Sequence, residues 1–288
     1  MMNTEENRSL GSLVETFLAC NQCHGPVRLE ASKIICGKEG CASLALSEGG
    51  VVLTENRVER SFFDDKHEIM HAGNEGEETK RLFYQRQAKY AESFFAPGKT
   101  VLDVGCGPAF SYEKKSGTLF IGLDYSLESI RANKSADLKV HGSAAALPLK
   151  EDSVDTIICF YSIHHMVGKK LAENRKIVES AFAEFGRVIR PGGDLVIFEV
   201  TPWWPFGIAE KVVWNAARQK LGKKLDMFFW PKTELIRLGE KHFPEAKFNR
   251  KRFDVSPFYP VYPAIALPKL KVPRFLYPFD VCAYHWHF

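Results

Sequence analysis

Three groups of residues have the types and spacing to do chemistry. Cys20-x2-Cys23 and Cys36-x4-Cys41 put four thiols on two short knuckles, with Gly25, Gly37 and Gly40 near the turns. Thiolates from two knuckles can close a tetrahedral zinc site, and with all four positions taken by sulfur the metal would be structural, not a Lewis acid. The alternative is a small hairpin module with reduced, unligated thiols. The second group is Asp103-x-Gly105-x-Gly107, followed by Asp124. Glycine permits positive φ and lets a ligand lie against the main chain, and an acid ending the next strand is placed to accept from ribose hydroxyls. The third is Phe160-Tyr161-Ser162-Ile163-His164-His165-Met166. A histidine titrating near neutrality can take a proton from a phenolic, carboxylic or amine nucleophile. The alternative is that one or both histidines cap the next helix or line a pocket.

These groups need a scaffold. Thr100 to Asp103 and Thr118 to Leu123 read as buried parallel strands, as does Thr156 to Tyr161. The first strand runs into the glycine turn. The third delivers the histidine loop to the sheet edge where open α/β folds bind ligands. Between 173 and 190 the apolar residues Ile177, Val178, Ala181, Phe182, Phe185, Val188 and Ile189 fall largely on one face, predicting a helix that covers the sheet. A helix is also expected from Glu77 to Phe95, stopped by Pro97-Gly98, with Tyr84 and Arg86 at one lip of the cleft. Phe110 stands where a dinucleotide fingerprint needs its third glycine, which weakens a hydride-transfer reading.

Asp103-x-Gly105-x-Gly107 with Asp124 resembles the class I S-adenosylmethionine-dependent methyltransferases. The resemblance continues through His141-Gly142-Ser143-Ala144, Leu147-Pro148-Leu149 with Ser153-Val154-Asp155, and Arg190-Pro191-Gly192-Gly193. It implies an α/β, Rossmann-like sheet with helices on both faces, plus a small N-terminal zinc ribbon and a C-terminal cap. It implies a cofactor, S-adenosyl-L-methionine, lying over Asp103, Gly105 and Gly107, with its ribose at Asp124 and its adenine near Ser143 and Ala144. Tyr125 and Phe160 would belong to the same cofactor site. Acceptor and methyl group would meet at Tyr161, His164 and His165. No base is strictly required, because a sulfonium is already an activated leaving group. Asp103 is expected to fix the glycine turn through its N–H groups, Cys106 to be a small filler, and Tyr112 to reach cofactor or substrate. The ribbon itself is similar to that of ribosomal RNA guanine methyltransferases, whose last ligand is histidine, and to ribbons resembling the small activator subunit of transfer RNA methyltransferases. Cys41 fits the second set at least as well.

The expected organisation is a ribbon over 1–55, a helical linker over 56–97, a cofactor-binding core over 98–202 and a cap over 203–288. The cap should contain two closing strands, Phe248 to Val255 and Val281 to Phe288, separated by a proline-rich apolar loop that forms no regular pairing. Its aromatics, from Trp203 onward, either pack on the sheet or make an apolar pocket or membrane-surface patch. A charge of +4 and a pI near 8.6 do not by themselves announce nucleic acid. No run reaches the ~18 apolar residues that span a bilayer, and the polar N-terminus leads to a cytoplasmic expectation. The leading reading is methyl transfer to a small-molecule or lipid-like acceptor. An RNA base methyltransferase using the ribbon and two basic clusters, Arg218, Lys220, Lys223 and Lys224 and then Lys247, Arg250, Lys251 and Arg252, is the alternative, although the Thr156-to-Tyr161 strand does not end in an Asn/Asp-Pro-Pro-aromatic tetrapeptide. A cofactor-binding protein without transfer activity is the third.

Overall fold

The computed structural model describes residues 4–54 apart from 32, 42 and 48, residues 84–253 apart from 223 and 224, and residues 258–261, 267–273 and 278–288. Helix α1 (Thr4–Phe17) precedes four short strands, β1 (Val27–Glu30), β2 (Lys33–Cys36), β3 (Leu44–Leu46) and β4 (Val51–Leu53). Helix α2 (84–92) leads to β5 (Thr100–Val104), β6 (Leu119–Asp124), α3 (Leu127–Ala132), β7 (Leu138–His141) and β8 (Val154–Phe160). A single 3-10 turn, Ile163–His165, precedes α4 (Leu171–Val188) and β9 (Ile189–Pro202). The remainder holds α5 (Trp204–Leu221), α6 (Lys232–His242), β10 (Lys247–Arg252), a hairpin of β11 (Phe258–Val261) and β12 (Leu267–Pro273), and β13 (Phe279–His287).

Eleven strands form one sheet in the order β1-β2-β3-β4-β7-β6-β5-β8-β9-β13-β10. The strands from β7 to β9 are parallel, β13 is antiparallel to β9, and β10 is antiparallel to β13. Strand order reverses between β5 and β8, which opens a crevice at their carboxyl ends. Both faces are buried, so these strands are apolar throughout rather than alternating with polar residues. Leu102, Ile157 and Leu195 meet α4 and α6 on one side, through Phe182, Phe185 and Leu238. Val101, Ile158 and Val196 meet Ala88, Ala91 and Phe95 on the other. The expected sheet-covering helix is α4, and the closing strands appear as β10 and β13. The expected helix around 77–95 appears as α2, with its earlier part outside the described residues.

One expectation is corrected. The proline-rich stretch contains a hairpin after all: its ladder places Pro273 at a strand end and shifts register at Pro260, positions that tolerate a missing N–H. The ribbon joins the main sheet: β4 pairs in parallel with β7, Val52 opposite Val140 and Leu53 opposite His141. Beyond the ladder, the Thr54 amide and hydroxyl both donate to the His141 carbonyl, at 3.1 and 3.0 Å, while Asn21 Nδ2 donates to the Thr54 carbonyl. Ala19 N donates to Pro148 O and Lys150 N to Phe17 O. The ribbon is thereby fastened to both ends of the His141-to-Lys150 segment.

That fit leaves no room at Gly142, where a Cβ would lie 2.6 Å from Thr54 Oγ1. Gly142→Ala should therefore cost about 1–3 kcal/mol by overpacking, read as a lower denaturant midpoint. An unchanged midpoint would show that the ribbon does not dock here.

Candidate functional site

The glycine turn is held by its neighbours. Gly105 and Cys106 donate their N–H groups to the Leu123 carbonyl, and Gly107 N donates to Asp124 Oδ2 at 2.8 Å. Gly105 sits at φ +73°, and a Cβ there would lie 2.4 Å from Ser162 Cβ. Ser162 Oγ in turn donates to Val104 O at 2.7 Å, so the ends of β5 and β8 are clamped together. Gly107, at φ +61°, faces open space. The expectation that Asp103 braces this turn is thus corrected: Asp124 and a carbonyl do that work. Asp124 Oδ1 also accepts from Ser126 N, which sets its rotamer at the end of β6.

Asp103 is buried, and its Oδ2 accepts from the Tyr112 hydroxyl. Tyr112 is therefore a buried partner of Asp103 rather than a residue reaching into the cleft. Burial pushes Asp103 up to about 7, Tyr112 pulls it back and the Asp124 charge adds to the rise. Its Oδ1 is buried with no hydrogen-bond partner among the described residues. An unpaired buried carboxylate oxygen beside an open glycine turn suits a cationic ligand group. Cys106 fits the filler role, buried against Gly122 with its thiol pushed well above the ordinary range by burial.

Across the clamp, Tyr161 occupies φ +58°, a conformation rarely adopted by an aromatic residue, and its hydroxyl donates to Gln87 Oε1 at 3.0 Å. Phe160 lies among Tyr84, Tyr161 and Phe198, with ring centroids 4.8–5.5 Å away. Tyr84 therefore lies at the cleft, while Arg86 is exposed. His164 is buried. Its Nδ1 lies 2.7 Å from Glu199 Oε2, its backbone N–H donates to Glu199 Oε1, and its ring stacks on Phe229 at 5.4 Å. A neutral imidazole that donates Nδ1–H to this carboxylate keeps its basic lone pair on Nε2. His165 behaves differently. Nδ1 faces the Asp226 carbonyl at 3.2 Å, and burial followed by the neighbouring His164 pushes its pKa well below the ordinary range, so it stays neutral.

Tyr125, nearly half exposed, stacks over His141, whose Nε2 meets the Tyr125 carbonyl at 3.1 Å. Ser143 and Ala144 follow at the carboxyl end of β7, with Ser143 Oγ accepting from Ala145 N. Two acids that the sequence did not mark complete the region. Glu210, on the inner side of α5, accepts from Phe229 N at 3.1 Å, and burial raises it to about 7. Asp226 reaches His165 from the loop after α5.

Some distance away, the Sγ atoms of Cys20, Cys23, Cys36 and Cys41 all lie within 4.8 Å of one another. Cys23 is lowered to about 7, chiefly by the Gly25 backbone, whereas Cys41 is pushed up to about 12 by Cys23 and then by burial. Four thiols this close do not ionise together without a cation, and the donor set suits zinc.

Residues 102–197 match the family described as a methyltransferase domain. A chain from the complex between the Haloferax volcanii Trm112 methyltransferase activator and the putative methyltransferase superposes with a TM-score of 0.52 at 17% identity, covering 78% of this chain and 98% of that one. This protein has a class I methyltransferase fold. Among curated proteins, the demethylmenaquinone methyltransferases of Mycolicibacterium paratuberculosis and Mycobacterium marinum are each 31% identical over 119 residues, 40% of this chain and 48% of theirs. The chain thus spans about half the length of the curated relatives it matches.

The Tyr112 hydroxyl is one of the groups that keeps Asp103 from rising further. Tyr112→Phe should shift the Asp103 titration upward from about 7, read by carboxyl-carbon NMR. A downward shift would mean that the phenol is not its partner.

Proposed function

We propose that the protein is an S-adenosylmethionine-dependent methyltransferase whose acceptor is a small, lipid-like molecule, and that its ribbon holds a structural zinc ion. The observation that carries this reading is the buried His164–Glu199 pair, two residues beyond the serine that clamps the glycine turn. When bound, the cofactor supplies a methyl group already activated on a sulfonium. Gly105 and Gly107 would lie against its methionine part, and Asp103 Oδ1 would meet its ammonium. Asp124 would hold the ribose, with Tyr125, Ser143 and Ala144 around the adenine. Tyr84, Phe160 and Tyr161 exclude water from the cleft. His164 Nε2 takes the acceptor's proton, and Glu199 orients the ring and balances the imidazolium. His165, kept neutral, positions the loop that carries Phe229.

The aromatic surroundings of His164 favour an apolar acceptor, and the similarity to demethylmenaquinone methyltransferases supports the same class. The test uses methyl-labelled S-adenosylmethionine with a lipid extract, a small-metabolite extract and total RNA in separate reactions. Label should enter the lipid fraction, and His164→Gln should slow transfer by about 10²-fold or more while cofactor binding by calorimetry persists. Label in RNA alone would overturn the acceptor class, and an unchanged rate in His164→Gln would remove the base.

Tetrahedral zinc with bonds of about 2.3 Å needs sulfurs about 3.8 Å apart, and the observed Cys23–Cys36 separation is 3.5 Å. Elemental analysis should find one zinc per chain, lost in Cys20→Ser/Cys23→Ser together with a lower melting temperature. Metal-free wild-type protein of full stability would leave the unligated thiols standing.

A further inference from the structure

Helix α5 is amphipathic in the inverted sense. Its charges before Lys220 point inward: Glu210 to Phe229 N, Lys211 to Glu234 at 3.2 Å, and Arg218 to the Gly222 carbonyl and over the Trp214 ring. Its exposed positions from Trp203 to Gln219 carry no charged side chain. Trp204, Ile208 and Val212 recur every four residues as one stripe, and Phe206 and Val213 lie on the next. Trp204 is 78% exposed and Val212 76%. Scattered apolar residues on a surface need no explanation, but one continuous face with a tryptophan at its end does.

We propose that this outward face of α5 docks on an anionic lipid surface. The far end of the face is cationic. Lys220 ends the Phe206–Val213 stripe, and the Asn215 side chain accepts from Leu171 N, which brings exposed Lys169 and Lys170 alongside. Glu173, the nearest acid in that turn, is folded back on the Lys169 amide. Indole and aliphatic groups over an interface, with lysines at the headgroup level, are the pattern of an interfacial helix. A second copy of the chain fits less well. Two such faces would bury Trp204, but their exposed positions from Trp203 to Gln219 offer no carboxylate to the lysines.

The placement also serves the site. The helix leaves the carboxyl end of β9, and its inner side holds Glu210 and Phe229, the ring stacked on His164. One helix thus has lipid on one side and the candidate base on the other. The proposal deepens the reading of a lipid-like acceptor and rests on it for its purpose, yet vesicle binding is measured without any methyl transfer.

The experiment is co-sedimentation of the full chain with vesicles of phosphatidylcholine alone or with phosphatidylglycerol added. Binding is expected to the anionic vesicles and to weaken with salt. Trp204→Ser/Phe206→Ser, at exposed positions, should lower the partition coefficient at least ~tenfold. Lys169→Glu/Lys170→Glu should abolish the preference for phosphatidylglycerol. Cofactor affinity and melting temperature should match wild type in both variants. Absence of wild-type binding to either vesicle, or unchanged binding by the tryptophan variant, would overturn the proposal. So would a concentration-dependent dimer in ultracentrifugation that the same variant dissociates. If the vesicles bind but the transfer assay labels only RNA, the surface stands and the acceptor reading falls.

Discussion

The structure depends on the contact between Gly105 and Ser162. A backbone without a Cβ lets the end of β8 close onto the end of β5, and the Ser162 hydroxyl locks the approach on the Val104 carbonyl. The glycine turn and the histidine loop come from segments more than fifty residues apart, yet this clamp fixes their separation. Electrostatic and proton-transfer effects fall steeply with misplacement, so a rigid joint between the two halves of a site matters more than any one side chain on either.

Around that joint, burial decides what each ionisable group can do. Asp103 and Glu210 are both lifted toward neutrality by desolvation, and His165 is pushed the other way for the same reason. His164 is the more deeply buried of the two histidines and has a carboxylate at Nδ1. These adjacent residues thus have different partners: His164 faces the Glu199 carboxylate, and His165 the Asp226 carbonyl with the Asp226 carboxylate 3.8 Å away. The proposed role of His164 as a base rests on this difference in partners.

Much of the scaffold was legible because its signals are local. The apolar runs of β5, β6 and β8, the one-sided apolar face of α4, the cysteine knuckles and the glycine turn each lie within a short window. What escaped were partnerships between distant segments. Nothing near Glu199 says that it faces His164, nothing in α5 says that Glu210 turns inward, and nothing around Thr54 says that it bonds His141. Tyr112 and Asp103 are close in sequence, but only the fold shows that the phenol is spent on the acid. The prolines misled for a different reason. They forbid a ladder hydrogen bond at their own positions, not a hairpin that places them at an end or a bulge.

The single sheet also constrains the order of assembly. Strands β1 to β4 zip up with near neighbours, but β4 then presents an open parallel edge until β7, 87 residues away at the Thr54–His141 contact, has been made and ordered. At the opposite side β10 is synthesised before β13 yet can pair only with it, because β13 inserts between β9 and β10. Loop closure must precede both pairings, so each flank of the sheet passes through a stage with unsatisfied strand edges. The nascent chain is consequently most prone to self-association at its two margins, before β7 is ordered on one side and before β13 is made on the other.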